Sequence, residues 1–507
     1  MKVFAFYLPQ FYRTPINDKW WGEGFTEWTS ARKARSLFDG HYQPHEPMDE
    51  YYYNLLDKGT MLWQASLMNK YGIDGMCFYH YWFSSEEVIL EKPAENLLMW
   101  KEIKMPFFFS WANESWLNKW SQREGFTWVD NNNQQSKKLK YIFFQKYGRE
   151  EEWEKHFYYL LEFFKDERYV KIQGKPVFII HNIYNIPCIY EMIHYWNKLA
   201  NENGFEGIYF IGGGLQDVNC EIDAYMTHEP GMIRACLNCI DDSKPNRFSY
   251  VDAGREILKQ RRYSDKTMIY TTFCSYDTSP RYGYDGDIYI DATPNVFEEH
   301  LAHLMAKNMS SGVDMVFIDA WNEWGEGMHL EPDKRFGMAW LEAVSNAKKS
   351  YHKYLDVYDD ARLSVSDYRN LCDKKKAEIN GAILDRWMKL RENGFSILDY
   401  LKEHNIVKIL VYGLGMLSNH FVWECKGKID VVGAIDRSDH YSLEGIQTYK
   451  INSEIPVADA IIITAVYYSD RICEEIRKYN DKIKIFSLYE LILFAEEKMI
   501  NAEENEI

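Results

Sequence analysis

Eight short apolar runs, most of them separated by a helical stretch, constrain this chain more than any other feature. They are VFAFYL (3–8), GIDGMCFYHYW (72–82), MPFFFSWA (105–112), KPVFIIH (175–181), GIYFIGG (207–213), IDAYMTH (222–228), TMIYTTFCSY (267–276) and VDMVFIDAW (313–321). Between them, LLDKGTMLWQASLMNKYG, EEWEKHFYYLLEFFKDE, IYEMIHYWNKLANENG, VDAGREILKQRR and VFEEHLAHLMAKN have the spacing of amphipathic helices. Near-continuous apolar strands belong to parallel sheets covered on both faces. Eight of them alternating with helices predict an α/β chain built on a (β/α)8 TIM-like barrel. A doubly wound open sheet has the same strand count, because counting cannot show closure.

At 507 residues the chain exceeds one ordinary domain. Residues 1–350 are assigned to the barrel and 351–405 to a charged helical connector. From 406 to 507 a new pattern begins: a strand (407–411), the glycine turn YGLGMLS, a helix, and a second strand (429–435) closing on Asp436. This reads as a small Rossmann-like α/β domain. The net charge of −17, with no basic stripe, argues against a nucleic-acid partner. The nine cysteines show no disulfide or zinc spacing, and paired histidine ligands are missing, so no metal is expected. With no cleavable leader in MKVFAFYLPQF and no apolar run near the roughly 20 residues of a membrane span, the expectation is cytoplasmic.

A barrel builds its active site at the C-terminal ends of its strands. Those ends carry Gln10, His80, Tyr81, Trp82, Asn113, Glu114, His181, Asn182, His228, Glu229, Asn322 and Glu323. The eighth run leads into NEWGEGMHLEPD, where Glu323 and Glu326 stand three apart beside Trp321 and Trp324. Three-residue spacing on a turn aims both side chains the same way. Glycoside hydrolysis needs two carboxyl groups flanking the scissile bond, about 5–5.5 Å apart in retaining enzymes. Gly325 and Gly327 permit unusual backbone angles between them. The bland alternative is a solvated loop or pairs with Lys334 and Arg335. The loop after the first strand holds Trp20, Trp21, Trp28, Glu23, Glu27, His41, Tyr42 and His45, either as rings and acids for a sugar or as a lid packing its own tryptophans. In WANESW, Asn113 and Glu114 are placed to orient hydroxyls.

FYLPQFY, DKWWGEGFTEW, HYQPHEP, GMCFYHYWF, FFFSWANESW and IDAWNEWGEGMHLEPD together resemble the WbsX-type proteins of bacterial surface-polysaccharide gene clusters, relatives of the glycoside hydrolase family 99 endo-α-mannosidases. The resemblance spans roughly residues 1–350 and implies a (β/α)8 barrel acting on an oligosaccharide or polysaccharide. It implies that Glu323 is the base removing the sugar 2-hydroxyl proton, through an anhydro-sugar intermediate. Glu326 is then the acid that protonates the leaving oxygen, with Glu114 a candidate neighbour keeping it protonated. Tyr7, His80, Tyr81, Trp82, Asn113, His181 and Asn182 would line the sugar pocket, joined by Trp21, Glu27, Glu114, Trp321 and Asn322.

In the C-terminal domain, Gly413 and Gly415 with Asp436 form a degenerate dinucleotide fingerprint, since Ser418 replaces the third glycine. It admits a nucleotide or nucleotide-sugar, or an empty structural fold; the barrel itself needs no cofactor. Three functions fit the residues: a retaining glycoside hydrolase or transglycosidase, a glycosyltransferase using a nucleotide-sugar, and a non-catalytic carbohydrate-binding protein.

Overall fold

The computed structural model describes residues 1–117, 141–214, 222–240, 243–261, 266–358, 365–437, 443, 445–466, 469–480 and 482–505. Contacts divide the chain into two compact units, one drawn from Met1–Arg362 and the other chiefly from Leu363–Ile507. Among the described residues, no helix is long and apolar enough to cross a membrane.

The first unit is built on β1 (Lys2–Tyr7), β2 (Gly75–Ser84), β3 (Phe107–Trp111), β4 (Lys175–Ile180), β5 (Tyr209–Gly213), β6 (Ala224–Met226), β7 (Thr267–Ile269 and Thr272–Phe273) and β8 (Met315–Asp319). Hydrogen-bonded neighbours follow the path β7-β6-β5-β4-β3-β2-β1-β8-β7, all parallel. The first segment of β7 pairs with β6 and the second with β8, so the two ends of the path are one strand and the sheet closes on itself. Closure is what the run of apolar segments left open. Helices α1 (Lys58–Tyr71), α2 (Lys92–Met99), α3 (Glu150–Phe164), α4 (Ile189–Glu202), α5 (Tyr250–Lys259), α6 (Pro294–Ser310) and α7 (Ala339–Ser350) accompany the strands. Their ends are set locally: Asp57 accepts the Gly59 amide at the start of α1, and Gly72, at φ 84°, closes it in the left-handed conformation.

Phenylalanine fills both layers of the core. Inside the barrel, Phe4 packs edge-on against Phe108 (5.1 Å between ring centres) and near Phe317 (5.7 Å), and Phe6 stacks on Tyr79 (5.4 Å). Outside it, Phe109 meets Phe163 of α3 (4.9 Å) and Phe178 meets Trp196 of α4 (5.3 Å). Much of the 16% aromatic content is therefore packing rather than sugar platform.

The second unit carries β9 (Lys408–Tyr412), β10 (Asp430–Ile435), β11 (Thr448–Tyr449), β12 (Ala460–Ile463) and β13 (Lys484–Ser487), a separate parallel sheet in the order β11-β10-β9-β12-β13. A helix over Val365–Glu392 contributes Ile383, Trp387 and Leu390 to the core that also holds Ile409, Val411 and Ile462.

Candidate active site

β8 ends at Asp319 and turns back as a tight hairpin in which Asn322 pairs with His329 and Glu323 with Met328. Its tip, Trp324–Glu326, is one turn of 3-10 helix closed by Gly327 at φ 62°. At three residues per turn, Glu323 and Glu326 lie on the same side. Both reach one guanidinium: Arg281 donates from one terminal nitrogen to Glu323 Oε2 (2.9 Å) and from the other to Glu326 Oε1. The same group donates to Glu27 Oε1 through Nε (3.1 Å) and Nη2 (2.7 Å). One buried arginine from the loop after β7 therefore holds three carboxyl groups, one from the loop after β1 and two from the loop after β8.

Burial is the largest influence on Glu323 and pushes it well above the ordinary carboxylate range; Arg281 opposes this, while Glu326, Glu27 and Asp319 add to it. Burial also raises Glu326, again against Arg281 and with help from Glu27. The negative charge beside Glu326 is thus Glu27, not Glu114, which is exposed and accepts a hydrogen bond from Asn182 Nδ2. Because both carboxyls shift upward, burial alone does not divide them into an acid and a base; a bound substrate has to do that.

Arg281 lies in the short helix Ser279–Tyr282, and Asp277 anchors it. Asp277 Oδ1 accepts the Ser279 amide (2.8 Å), and Oδ2 accepts Gln43 Nε2 and His41 Nε2 (2.7 Å each). The Leu37 amide donates to His41 Nδ1 (3.0 Å), which leaves Nε2 as the protonated nitrogen facing Asp277. Burial would raise Asp277, but these hydrogen bonds outweigh it and hold the carboxyl below its usual value. The Asp277 amide also donates to the Glu326 carbonyl (2.7 Å), tying the β7 loop to the glutamate turn. His41 and Gln43 of HYQPHEP thus act through Asp277. A cavity of about 390 Å³, with His41, Tyr42, Tyr276, Asp277 and Arg335 in its wall, lies against these same loops.

Deeper in the barrel mouth, Tyr79 donates to Asp319 Oδ1 (3.1 Å), and the His181 and His228 rings meet edge-on at 4.0 Å. Asp319 Oδ2, His181 Nδ1 and His228 Nε2 are buried and have no hydrogen-bond partner among the described residues. Burial lowers His181 to about 4 and His228 well below its ordinary value, and it raises Asp319 well above the carboxylate range. The result is a floor of buried polar groups whose charged forms burial disfavours and whose hydrogen-bonding capacity is partly unused, a surface suited to hydroxyl groups.

Several residues expected to touch sugar are placed elsewhere, and strand alternation explains most of them. On β2, Tyr79 faces inward, whereas His80 bonds His156 of α3 (2.8 Å between ring nitrogens) and Trp82 stacks on the same ring (4.3 Å). Tyr7, on the outward face of β1, donates to Gln64 of α1 (2.6 Å). Asn113 clamps the backbone of Asn182 at both its N–H (2.8 Å) and its C=O (2.7 Å). Asn322 does the same to Leu8 (2.8 and 3.0 Å), fastening β8 to β1. Trp321 is fully buried, and Trp21 is buried near Phe25 (6.0 Å). Tyr81, Glu27 and His181 remain at the barrel mouth; the effect of Glu323, Arg281, Glu27 and Glu326 on the Tyr81 hydroxyl shows its proximity to the cluster. Arg281, Asp277, Tyr79 and Asp319 went unmarked in the sequence. Position just past the seventh strand (Asp277, Arg281) or at the end of the eighth (Asp319) was the available signal for three of them.

The family described as "Glycosyltransferase WbsX" matches residues 3–344. The chain belongs to the WbsX family. It is 31% identical over 357 residues to "Uncharacterized protein WxcX" of Xanthomonas campestris pv. campestris strain B100, which covers 68% of this chain and 49% of the relative. A second strain's WxcX is 30% identical over the same shares. The chain thus spans about half the length of the curated relatives it matches. Among solved structures it is similar to a GH99 endo-α-mannosidase from Bacteroides thetaiotaomicron, at 13% identity and a TM-score of 0.44, covering 70% of this chain and 98% of that one.

In the second unit of this WbsX-family chain, Gly413 has φ 89°, and an added β-carbon would lie 2.4 Å from the Ala465 side chain. Gly415 and Ser418 bond one another: the Ser418 hydroxyl accepts the Gly415 amide (2.8 Å) and lies 2.7 Å from its carbonyl. Asp436 Oδ2 accepts the Leu414 amide (2.6 Å), so the acid of the fingerprint holds the glycine turn closed.

Proposed function

We propose that this WbsX-family chain is a retaining glycoside hydrolase or transglycosidase acting on an α-linked, mannose-like glycan of surface-polysaccharide metabolism. The observation that carries the reading is the convergence of Glu323 and Glu326 on one buried guanidinium, beside a floor of unsatisfied polar atoms. The glycan class rests on the motif resemblance.

In this mechanism Glu323 accepts the proton of the sugar 2-hydroxyl as that oxygen attacks C1. Glu326 protonates the departing glycosidic oxygen, giving a 1,2-anhydro sugar and the released alcohol. Water or a sugar hydroxyl then adds to C1, losing its proton to Glu326, while Glu323 returns the first proton to O2. Two inversions at C1 give net retention. Arg281 keeps both carboxyls oriented and limits how far burial raises them. Asp319, His181 and His228, with unused hydrogen-bonding atoms, are placed to bond sugar hydroxyls.

The test is to incubate the wild type, Glu323→Gln and Glu326→Gln with α-mannosyl oligosaccharides, with and without nucleotide-sugars, and to follow products by mass spectrometry. Cleavage or transfer that needs no nucleotide and falls about 10²–10⁴-fold in the variants supports the proposal. Sugar addition that depends on a nucleotide donor overturns it in favour of a transferase. Binding without turnover, unchanged in both variants, overturns it in favour of a carbohydrate-binding protein.

A further inference from the structure

The short helix Glu27–Lys33 faces two sites. Its first residue joins the Arg281 cluster, and its other side borders a groove of about 550 Å³ separated from that cluster by Trp28. Tyr12, Arg13, Arg32, Lys33, Tyr52 and Asn54 are in the groove wall, where every charged side chain is cationic and no carboxylate appears. On a chain of net charge −17, that local sign reversal is unusual. Arg13 is partly offset by Asp18 (2.5 Å) and Glu23 (3.0 Å), neither of which faces the groove. Arg32 is exposed and pairs with no carboxylate among the described residues; its guanidinium lies over the Tyr52 ring, 4.6 Å from its centre. A guanidinium held over a ring by cation–π attraction keeps its N–H donors free to receive a carboxylate or phosphate in a two-point bond. Thr26, Thr29 and Asn54 add neutral groups for hydroxyls. The volume falls within the roughly 300–1,000 Å³ of ligand pockets.

We propose that this groove is a subsite for an anionic sugar unit, a uronic acid or a phosphorylated sugar. That the unit belongs to the same glycan cleaved at Glu323 and Glu326 rests on the function proposed above; anion binding in the groove does not. Full-length protein would be titrated calorimetrically with tetragalacturonate, with a mannose 6-phosphate-terminated mannotetraose, and with neutral mannotetraose. At least one anionic saccharide is expected to bind, with affinity falling steeply as salt rises from about 0.01 M to about 1 M. Which one binds identifies the anion. Arg32→Glu, at an exposed position, should weaken that binding about tenfold or more, and Lys33→Glu should act in the same direction. Glu326→Gln should leave it intact even though turnover stops, which separates failure of the subsite from failure of the catalytic reading. Binding of neither anion, anionic binding no tighter than that of mannotetraose, or affinity indifferent to Arg32→Glu would overturn the assignment.

Discussion

The backbone of Gly325 passes so close to Glu27 that a β-carbon there would stand 1.8 Å from the carboxylate Oε1 and 3.0 Å from Arg281 Nε. Of the two glycines in the turn, only Gly327 uses a left-handed angle; Gly325 is required for space. Gly325→Ala must therefore push Glu27 off Arg281 or open the glutamate turn. Displacements of about 1 Å in such a constellation cost on the order of 10²-fold in rate. The expected outcome is a loss of that order in turnover, measured on the substrate found as above, together with a lowered melting temperature, because the displaced carboxylate leaves a buried ion pair.

Arg281→Met leaves Glu27, Glu323 and Glu326 buried together without the cation that now lowers the two catalytic candidates. Their folded-state pKa values then rise further above the ordinary 4.5. A carboxyl raised by folding is stable in its protonated form, so the cost is small below the unfolded value and grows as pH climbs through the folded one. Unfolding free energies from urea titrations should nearly coincide at pH 4.5 and separate by about 3–5 kcal/mol at high pH, the usual cost of removing one partner from a buried ion pair. Equal separation at every pH would contradict this account.

The barrel was legible because its strands are buried on both faces, so apolar runs marked them even where helices between them were short. The direction of each side chain was less legible. Alternation reveals a strand's inner face only when polarity differs between faces, and Tyr79, His80, Tyr81 and Trp82 are all amphipathic rings. The glutamate pair stood out through its spacing and its place after the last strand. Arg281 did not, because SYDTSPRYGYDG carries no periodicity, and its partners are 254, 42 and 45 residues away in sequence. Long-range convergence of this kind leaves no local trace.

The face assignment on β2 makes opposite predictions for neighbouring rings. Tyr79→Phe removes the hydrogen bond to Asp319 Oδ1 at the barrel mouth, so it should lower kcat/KM while changing stability by no more than about 1.5 kcal/mol. Trp82→Ala removes a ring stacked on His156 in the helix layer and should cost about 3–5 kcal/mol in denaturant unfolding. Comparing both variants by activity and by urea midpoint checks the assignment. A stable, inactive Trp82→Ala would mean that this ring meets the sugar after all.

Glu229 is fully buried at the end of β6, where its carboxylate accepts the Gln260 amide group (2.7 Å) and the Ile233 amide (3.0 Å). Burial outweighs these bonds and Lys307, pushing it up to about 7 from 4.5. Between those values the unfolded chain has released a proton that the folded one retains. Stability therefore falls with rising pH in that window, by at most about 1.4 kcal/mol per pH unit for this group. Lys307, pushed down to about 7 from 10.5 mainly by burial, acts in the adjoining window with the opposite sign. There the unfolded chain holds the extra proton, and stability rises with pH. Glu229→Gln should flatten the first slope, and by removing a favourable charge it should push Lys307 further down and extend the second toward lower pH. Glu331, also near 7, contributes equally to both proteins and cancels in their difference. Urea midpoints of both proteins across pH 4.5–10.5 would show this as a difference curve that changes most steeply below pH 7.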